Sequence, residues 1–585
     1  MLNIKNPNQQ NLIDTWSHMG QKVRNHLENS WAGFFRQDIL PILPVLEFSQ
    51  AFHNDYGRPS KELHTALGAA LLQQLHDLTD EETQDALAFN MQWHYALNIG
   101  GNSDAETYIC SKTLYNTRQI IIENDLEQLV FDNVRDEIIE KFDVNTDKQR
   151  IDSKHIKSNM KNLGRIRIFT HSINKFLRNL KKTHKDLMEI IDEQLVEKYN
   201  GKESMQCFSM VKPSKSQKTL KEVSADLFSL TELFKERDDV QNMHSFKLLT
   251  RVLNDQCEIV ETDGKPEVKV KKPKDVPSDS LQNPSDPDAS YSGHKGQGYQ
   301  VQVMETFQKD KDKNIPNVIT YAGVEPAHNS DANALMPAIE KTAKDGVCPE
   351  EVLGDTLYGS DDNHERAQGM GVDLVAPLPS GNRKEDRIHL NDFEISDDGD
   401  IIACPEGQPP KSIKKNRVSR TLFFHSDTCE NCNRNEMCPV KQGRDSHFVN
   451  FPNKDIRLAK RRQYEQTDEF KDRYRMRAGV EATMSEYDRK TGVGRMRVRG
   501  LESMRFCAML KAAGINILRA ARAQAARLRQ KYSVNAAKNP LPGINFVFKE
   551  QIGTFFGKIG QIFGLKFAIG KNEPEITPFL LKLAA

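Results

Sequence analysis

The sequence predicts a multidomain α+β protein built around an α/β core, on three observations. Hydrophobic periodicity passes along the chain from helical spacing to strand alternation and back to helical spacing. Between residues 299 and 377 the segments read strand–strand–helix–strand–helix–strand, the order of an α/β domain. The 585 residues leave room for three or four domains of ordinary size.

Residues 1 to about 140 read as mostly helical. From Lys61 to Leu75 apolar residues recur at helical spacing, with Arg58-Pro-Ser as a start signal. A second helix starts after Thr79, with Glu82 three residues on completing a capping box. Short helices of this kind suit either a helix-turn-helix-like DNA reader or a plain helical bundle. A β-like run, Arg150 to Ile156, carries Asp152 at the end of a first strand, and helical periodicity returns over about 168–255. The polar, Pro-rich stretch Lys265 to Asp288 reads as a linker or exposed loop. Strands are expected at 299–304, 318–324, 352–358 and 372–377, with a helix over 331–343. Residues 380–450 read as irregular, 468–532 as strongly helical, and the Gly- and Phe-rich end has no assignable role.

Composition excludes several classes. Hydrophobic residues make up 37% and charged residues 28%, and no run of about 18 apolar residues predicts a membrane span. The first ten residues lack the basic-then-apolar order of a signal peptide, so a cytoplasmic location is expected. Nine cysteines in so long a chain do not suggest a disulfide framework. No P-loop, His-Glu-x-x-His or Gly-x-Ser-x-Gly occurs, and Gly293-His-Lys-Gly-Gln-Gly is too loosely spaced for a nucleotide fingerprint.

The formal net charge is zero, yet the charge is unevenly spread. Lys154 to Lys185 holds ten Lys or Arg and no acid, and further basic groups lie at Arg457–Arg462 and at Arg489, Lys490, Arg495, Arg497 and Arg499. The acids that cancel them, such as Asp392, Glu394, Asp397, Asp398 and Asp400, lie elsewhere. Salt screens over about 8–10 Å, so a phosphate responds to the local patch. Each run is also compatible with a solvated helix face.

Three carboxylates stand out by context: Asp152 in Arg-Ile-Asp-Ser-Lys-His-Ile, Asp355 in Val-Leu-Gly-Asp-Thr-Leu-Tyr, and Glu481 in Arg-Ala-Gly-Val-Glu on a helix. Mg²⁺ prefers carboxylate and water oxygens. Two such ions about 3.5–4 Å apart can activate an attacking oxygen and stabilise a leaving one. Asp147, Asp361 and Asp362 are rivals read as surface residues.

Four segments together resemble the DDE transposases of bacterial insertion sequences, in a branch with a helical N-terminal domain. They are Tyr56 to Leu97, Ile151 to Asn159, Asp286 to Val303 leading into Gly354-Asp-Thr-Leu-Tyr-Gly-Ser, and Tyr474 to Gly500. The resemblance implies an RNase H-like catalytic core, with Asp152, Asp355 and Glu481 as catalytic, Mg²⁺- or Mn²⁺-binding triad. It implies these domains: 1–145 helical and DNA-binding; 146–380 with 450–532 the core, with a helical insertion at about 168–282; 381–449 a cysteine-rich insertion; 533–585 a tail of unknown role. The family's helical signature is matched by Tyr474, Arg477 and Glu481. Position 488 holds Asp in place of its lysine, so that DNA contact is either lost or taken over by Arg489 or Lys490. The other DNA contacts expected are Lys154, Lys157, Lys161, Arg165, Arg167, Arg495 and Arg497. For Tyr474 and Arg477 simple packing and a surface salt bridge are the alternatives.

Cys404, Cys429, Cys432 and Cys438 are separated by 24, two and five residues in a polar segment. Structural Zn²⁺ fits such a set, since metal can supply folding energy that a small core lacks; free thiols or redox chemistry are the alternatives. Similar cysteines occur in related transposases, in an insertion between the last core strand and the Glu helix. The activity implied is binding of terminal inverted repeats in duplex DNA, metal-dependent hydrolysis at the element ends and joining of 3′-OH ends to target DNA, by a homodimer associated with the nucleoid. The alternative is a catalytically silent transposase acting as a DNA-binding regulator.

Overall fold

The strand that carries Asp152 is the axis of the protein. In the computed structural model, which describes residues 2–8, 15–101, 103–201, 208, 211–262, 265–310, 312–379, 387–396 and 399–538, it spans Lys148–Lys157 (β1). Over nearly its whole length it pairs antiparallel with β2 (Gly296–Thr306), which pairs antiparallel with β3 (Ile319–Pro326). Its first residues pair in parallel with β4 (Glu351–Leu353), and β4 in parallel with β5 (Asp373–Val375). The order is β3-β2-β1-β4-β5, with the short strand Ser290–Ser292 also on β2. Asp152 therefore lies within its strand and not at its end.

Period-two alternation gives the sheet two apolar faces. Ile151, Met304, Val352 and Leu374 point to the crossover helices Leu335–Lys344 and Asp361–Gly369. Ile156, Val301 and Val303 point the other way, into a core shared with the N-terminal helices and with the helices Gly479–Thr491 and Leu501–Lys538. The N-terminal helices are thus packed on the sheet. Leu63–Leu75 is buried throughout and is capped by the Glu62 carboxylate, which accepts from His64 and Thr65 N–H; the start falls there and not at Arg58-Pro-Ser. The next helix, Asp80–Phe89, has the expected Thr79–Glu82 capping box.

The helices Arg165–Thr183, Ser216–Phe234 and His244–Gln256 enclose a core of their own. The stretch read as a linker is different. It begins with a hairpin, Cys257–Thr262 with Lys265–Val270, and continues through buried Leu281, Asn283 and Asp286. Its polar residues are used inward: Asp286 accepts from Tyr299 Oη (2.5 Å) and from Gly500 N–H (3.0 Å). Residues 387–452 are not irregular either. The strands Ser412–Lys415, Ser419–Phe424, Lys441–Gln442 and His447–Pro452 form an antiparallel sheet that turns Leu422, Phe424, Val449 and Phe451 onto a small core. Short strands rich in Lys, Arg and Ser conceal that alternation.

Residues 1–524 form one compact unit, and among the described residues no helix is long and apolar enough to cross a membrane. Cys207, Asp397, Asp398 and the tail beyond Lys538 lie outside the described residues.

Candidate active site

The parallel register brings two acids together. Lys148, Gln149 and Arg150 face Glu351, Val352 and Leu353, so the same offset, carried two residues on, sets Asp152 beside Asp355. Pairing stops at Leu353 because the chain turns: the Asp355 carboxylate accepts from Leu357 N–H (2.8 Å), and Tyr358 N–H donates to the Asp355 carbonyl (3.1 Å). The site lies at the carboxyl end of β4, where parallel sheets commonly bind ligands.

The third acid comes from the Gly479–Thr491 helix, which a buried charge network fixes to the sheet. Glu305 on β2 is wholly buried and accepts from Arg150 (2.7 Å), Arg519 (2.8 Å) and Thr483 Oγ1 (2.7 Å). Arg150 also donates to the Met476 carbonyl (2.9 Å), just before the helix. A Cβ at Gly479 would lie 1.9 Å from Arg150 Nη1, so a larger residue would have to push that guanidinium aside.

Three carboxylates then surround one guanidinium. Arg477 Nη2 lies 3.2 Å from Asp152 Oδ2 and 4.0 Å from Asp355 Oδ2, and Nη1 lies 3.5 Å from Glu481 Oε1. Arg477 is 19% exposed at the side chain, whereas Glu481, at 68%, faces solvent. Burial pushes the Asp152 carboxyl above the ordinary carboxylate range; Ser153 N–H and Arg477 oppose this, and the Asp355 and Asp331 charges add to it. A cation is what this arrangement needs, and the arginine supplies one. The donors are hard oxygens, the chemistry of a Mg²⁺ or Mn²⁺ site. As placed around Arg477, no three His, Cys, Asp or Glu side chains among the described residues come close enough to hold one ion.

The basic residues divide. Lys154 shares the Asp152 face of β1, and its Nζ lies 2.9 Å from Asp488 Oδ2; both line an open cavity of about 530 Å³ with Asp152, Glu481 and Arg489. The cation beside position 488 is therefore Lys154, an option absent from the sequence reading. Lys157, Lys161, Arg489, Lys490 and Arg495 are exposed. Arg165 is not a surface contact: it donates to Gln256 Oε1 (2.8 Å) and the Lys271 carbonyl (3.0 Å). Arg167 lies against His171 (3.5 Å), and Arg497 pairs with Asp77 (3.0 Å). Tyr474 stacks on Phe470 at 5.5 Å, half-buried. Asp361, read as a surface residue, is buried and held by Arg457 (2.7 Å) and Arg461 (2.5 Å), which removes those two arginines from the basic surface.

Sequence reasoning missed the other side of β1. Ser153 Oγ donates to Asp331 Oδ2 (3.0 Å), and Lys295 Nζ (3.1 Å) and Gln302 Nε2 (2.9 Å) hold the same buried carboxylate. Tyr358 Oη donates to Gln302 Oε1 (2.6 Å). The signal was available: Gln300 and Gln302 alternate along β2, a polar row where a buried strand should be apolar.

The four cysteines line a second cavity, of about 220 Å³. Three turns present them, closed by Gly407 N–H to the Cys404 carbonyl (2.8 Å), by Cys432 N–H to the Cys429 carbonyl (3.3 Å) and by Cys438 N–H to the Asn435 carbonyl (3.1 Å). Burial pushes the Cys429 thiol up to about 11, with Cys438, Cys404 and Cys432 adding to it. Thiols are the donor type that Zn²⁺ takes, but here too no three of the described side chains come close enough to hold one ion.

Comparison with protein families places two regions of the chain. Residues 24–119 match a family model described as a transposase domain (DUF772), and residues 403–521 match one described as a transposase DDE domain. The class is therefore a transposase. The two matches together indicate a DDE-type transposase of an insertion sequence. Glu481 and the four cysteines lie inside the DDE match; Asp152 and Asp355 lie outside both. Neither the curated proteins nor the solved structures searched contain a match.

Proposed function

We propose that the protein cuts DNA at the ends of a mobile element and joins the freed 3′-OH ends to a target, with Asp152, Asp355 and Glu481 as the metal-binding triad. The observation that carries this reading is the convergence of three carboxylates, from β1, the turn after β4 and the Gly479–Thr491 helix, on one guanidinium. A sheet of three antiparallel strands followed by two parallel ones supports an RNase H-like core. Asp152 and Asp355 stand on rigid backbone and would hold Mg²⁺ or Mn²⁺, with the solvent-facing Glu481 closing the site. When bound, such ions supply Lewis-acid activation of the attacking oxygen and charge stabilisation of the leaving one.

The protein's own residues do the rest. Arg477 neutralises the acids, and with an ion held by them its guanidinium would be free to contact a backbone phosphate. Lys154, held by Asp488, and the exposed Arg489, Lys490 and Arg495 line the approach for duplex DNA, with Lys157 and Lys161 extending it. The N-terminal helices bind the terminal inverted repeats. Two ends are brought together by a homodimer. The cysteine-rich insertion carries structural Zn²⁺.

Asp355→Asn and Glu481→Gln test the triad in a Mg²⁺-dependent cleavage assay on end DNA. Each is expected to lower strand cleavage at least about a thousandfold, roughly 4 kcal/mol of barrier, with end binding nearly unchanged. Cleavage at the wild-type rate in either variant refutes the assignment. Wild-type protein that binds ends but nicks nothing with Mn²⁺ would make the chain a regulator.

A further inference from the structure

The cysteine-rich insertion presents one sheet face to its core and, among the described residues, leaves the other outside any apolar cluster. Cross-strand register defines the outer face: Ser412 faces Phe423, Phe423 faces Phe448, and Phe448 faces Lys441, a row across all four strands. The next row on the same face is Lys414, Thr421 and Asn450. Phe423 and Phe448 lie side by side, ring centroids 6.3 Å apart at an interplanar angle of 36°. Both are partly exposed, and neither joins the apolar cluster that takes up Leu422, Phe424, Val449 and Phe451. Thr421 Oγ1 donates to Asn450 Oδ1 (3.0 Å), so the polar row is ordered too.

Charge surrounds the rings. Lys411, Lys414, Arg417 and Lys441 are exposed, and no acid occurs from Lys411 to His425. Of the acids near this sheet, Asp400 is bound at the opposite face by Lys415 (2.7 Å) and by Arg420, and Asp445 lies in the turn between Gln442 and His447, beside Arg444.

We propose that the outer face formed by Phe423, Phe448, Lys414 and Lys441 binds single-stranded DNA, its rings stacking on unpaired bases and its lysines contacting the flanking phosphates. Stacking platforms with a cationic border bind single strands with little sequence preference, because every base offers a π-face. Duplex DNA has its bases already stacked and would use the lysines alone, so the paired rings favour an unpaired strand. The choice of DNA as ligand rests on the transposase reading; the face itself does not involve the acidic site.

The test is fluorescence anisotropy of full-length protein with a labelled oligodeoxythymidylate of about 12 nucleotides, without divalent metal, against a labelled duplex of the element end. Phe448→Ala and Phe423→Ala should each weaken single-strand binding about tenfold or more while duplex binding stays within about twofold of wild type. Lys414→Gln with Lys441→Gln, which leaves the rings and the core intact, should flatten the salt dependence of single-strand binding by up to about 1.4 in logarithmic slope. Phe448→Trp controls for folding and should retain binding. No single-strand binding by wild type, or ring variants that bind like wild type, overturns the proposal; so do lysine variants that weaken duplex and single strand equally while ring variants change nothing. Loss of cleavage in the triad variants bears on the transposase reading alone, because this assay involves no cleavage.

Discussion

The acids and the cysteines are both clusters of like, metal-loving groups, but they stand on different foundations. Asp152 and Asp355 rest on a sheet with an apolar core on each face, and Arg477 already supplies the missing charge. The cysteines sit on turns beside a core of nine buried residues, and no cation among the described side chains pairs with them. The first site can stay folded while it waits for its ion. On the zinc reading proposed above, the second would need the ion to stay folded. On this reading a functional site and a structural one would be told apart by what balances the charge without a metal.

Chelation is the strongest way to break that contrast. Structural zinc in small domains is worth about 10 kcal/mol or more of folding free energy, so a strong chelator or Cys429→Ser should strip amide-exchange protection from Ser419–Phe424 and His447–Pro452. Protection in β1 and β2 should persist. Equal loss in both sheets would erase the distinction. A smaller effect comes from Glu305, an acid of the same sheet used for structure. Glu305→Gln leaves Arg150 and Arg519 without their buried partner and should cost about 3–5 kcal/mol, read by chemical denaturation, whereas Asp355→Asn should leave stability within about 1 kcal/mol.

Acidity sharpens the comparison further. Burial raises the Asp152 carboxyl above the ordinary range, so an incoming ion meets a bound proton at a higher pH than it would at an ordinary carboxylate. Mn²⁺ affinity should fall about tenfold per unit as pH drops below that raised value, measured by calorimetry. For folding the sign reverses. The protonated group contributes stability that is fully present below its unfolded-state value and lost as pH rises through the folded one, and Asp152→Asn should remove that dependence. The smallest effect is that of Arg477→Gln: Mn²⁺ should bind about fivefold more tightly, roughly 1 kcal/mol, and the metal-free protein should melt slightly lower.

Much of this was legible from local pattern. The Thr79–Glu82 capping box and the strands of the central sheet follow from residue spacing, whereas the three acids that meet at Arg477 were singled out through the family resemblance and not by spacing. Long-range partners were not. Nothing near Arg165 says that it reaches Gln256, and nothing near Asp361 says that two arginines lie about a hundred residues on. Lys154 beside Asp488 is the same lesson in the site itself: a missing cation on one element can be supplied by another, which a helix motif cannot reveal. The polar sheet at 412–452 escaped because its strands are short and its lysines break the apolar rhythm.

The account depends on the triad exchanging a guanidinium for a metal. A crystal structure of the protein soaked in Mn²⁺, with anomalous scattering recorded, addresses that directly. The predicted result is an anomalous peak between the Asp152 and Asp355 carboxylates, with Arg477 withdrawn from them. Saturating Mn²⁺ that leaves no peak there, with Arg477 still seated among the three acids, would contradict it.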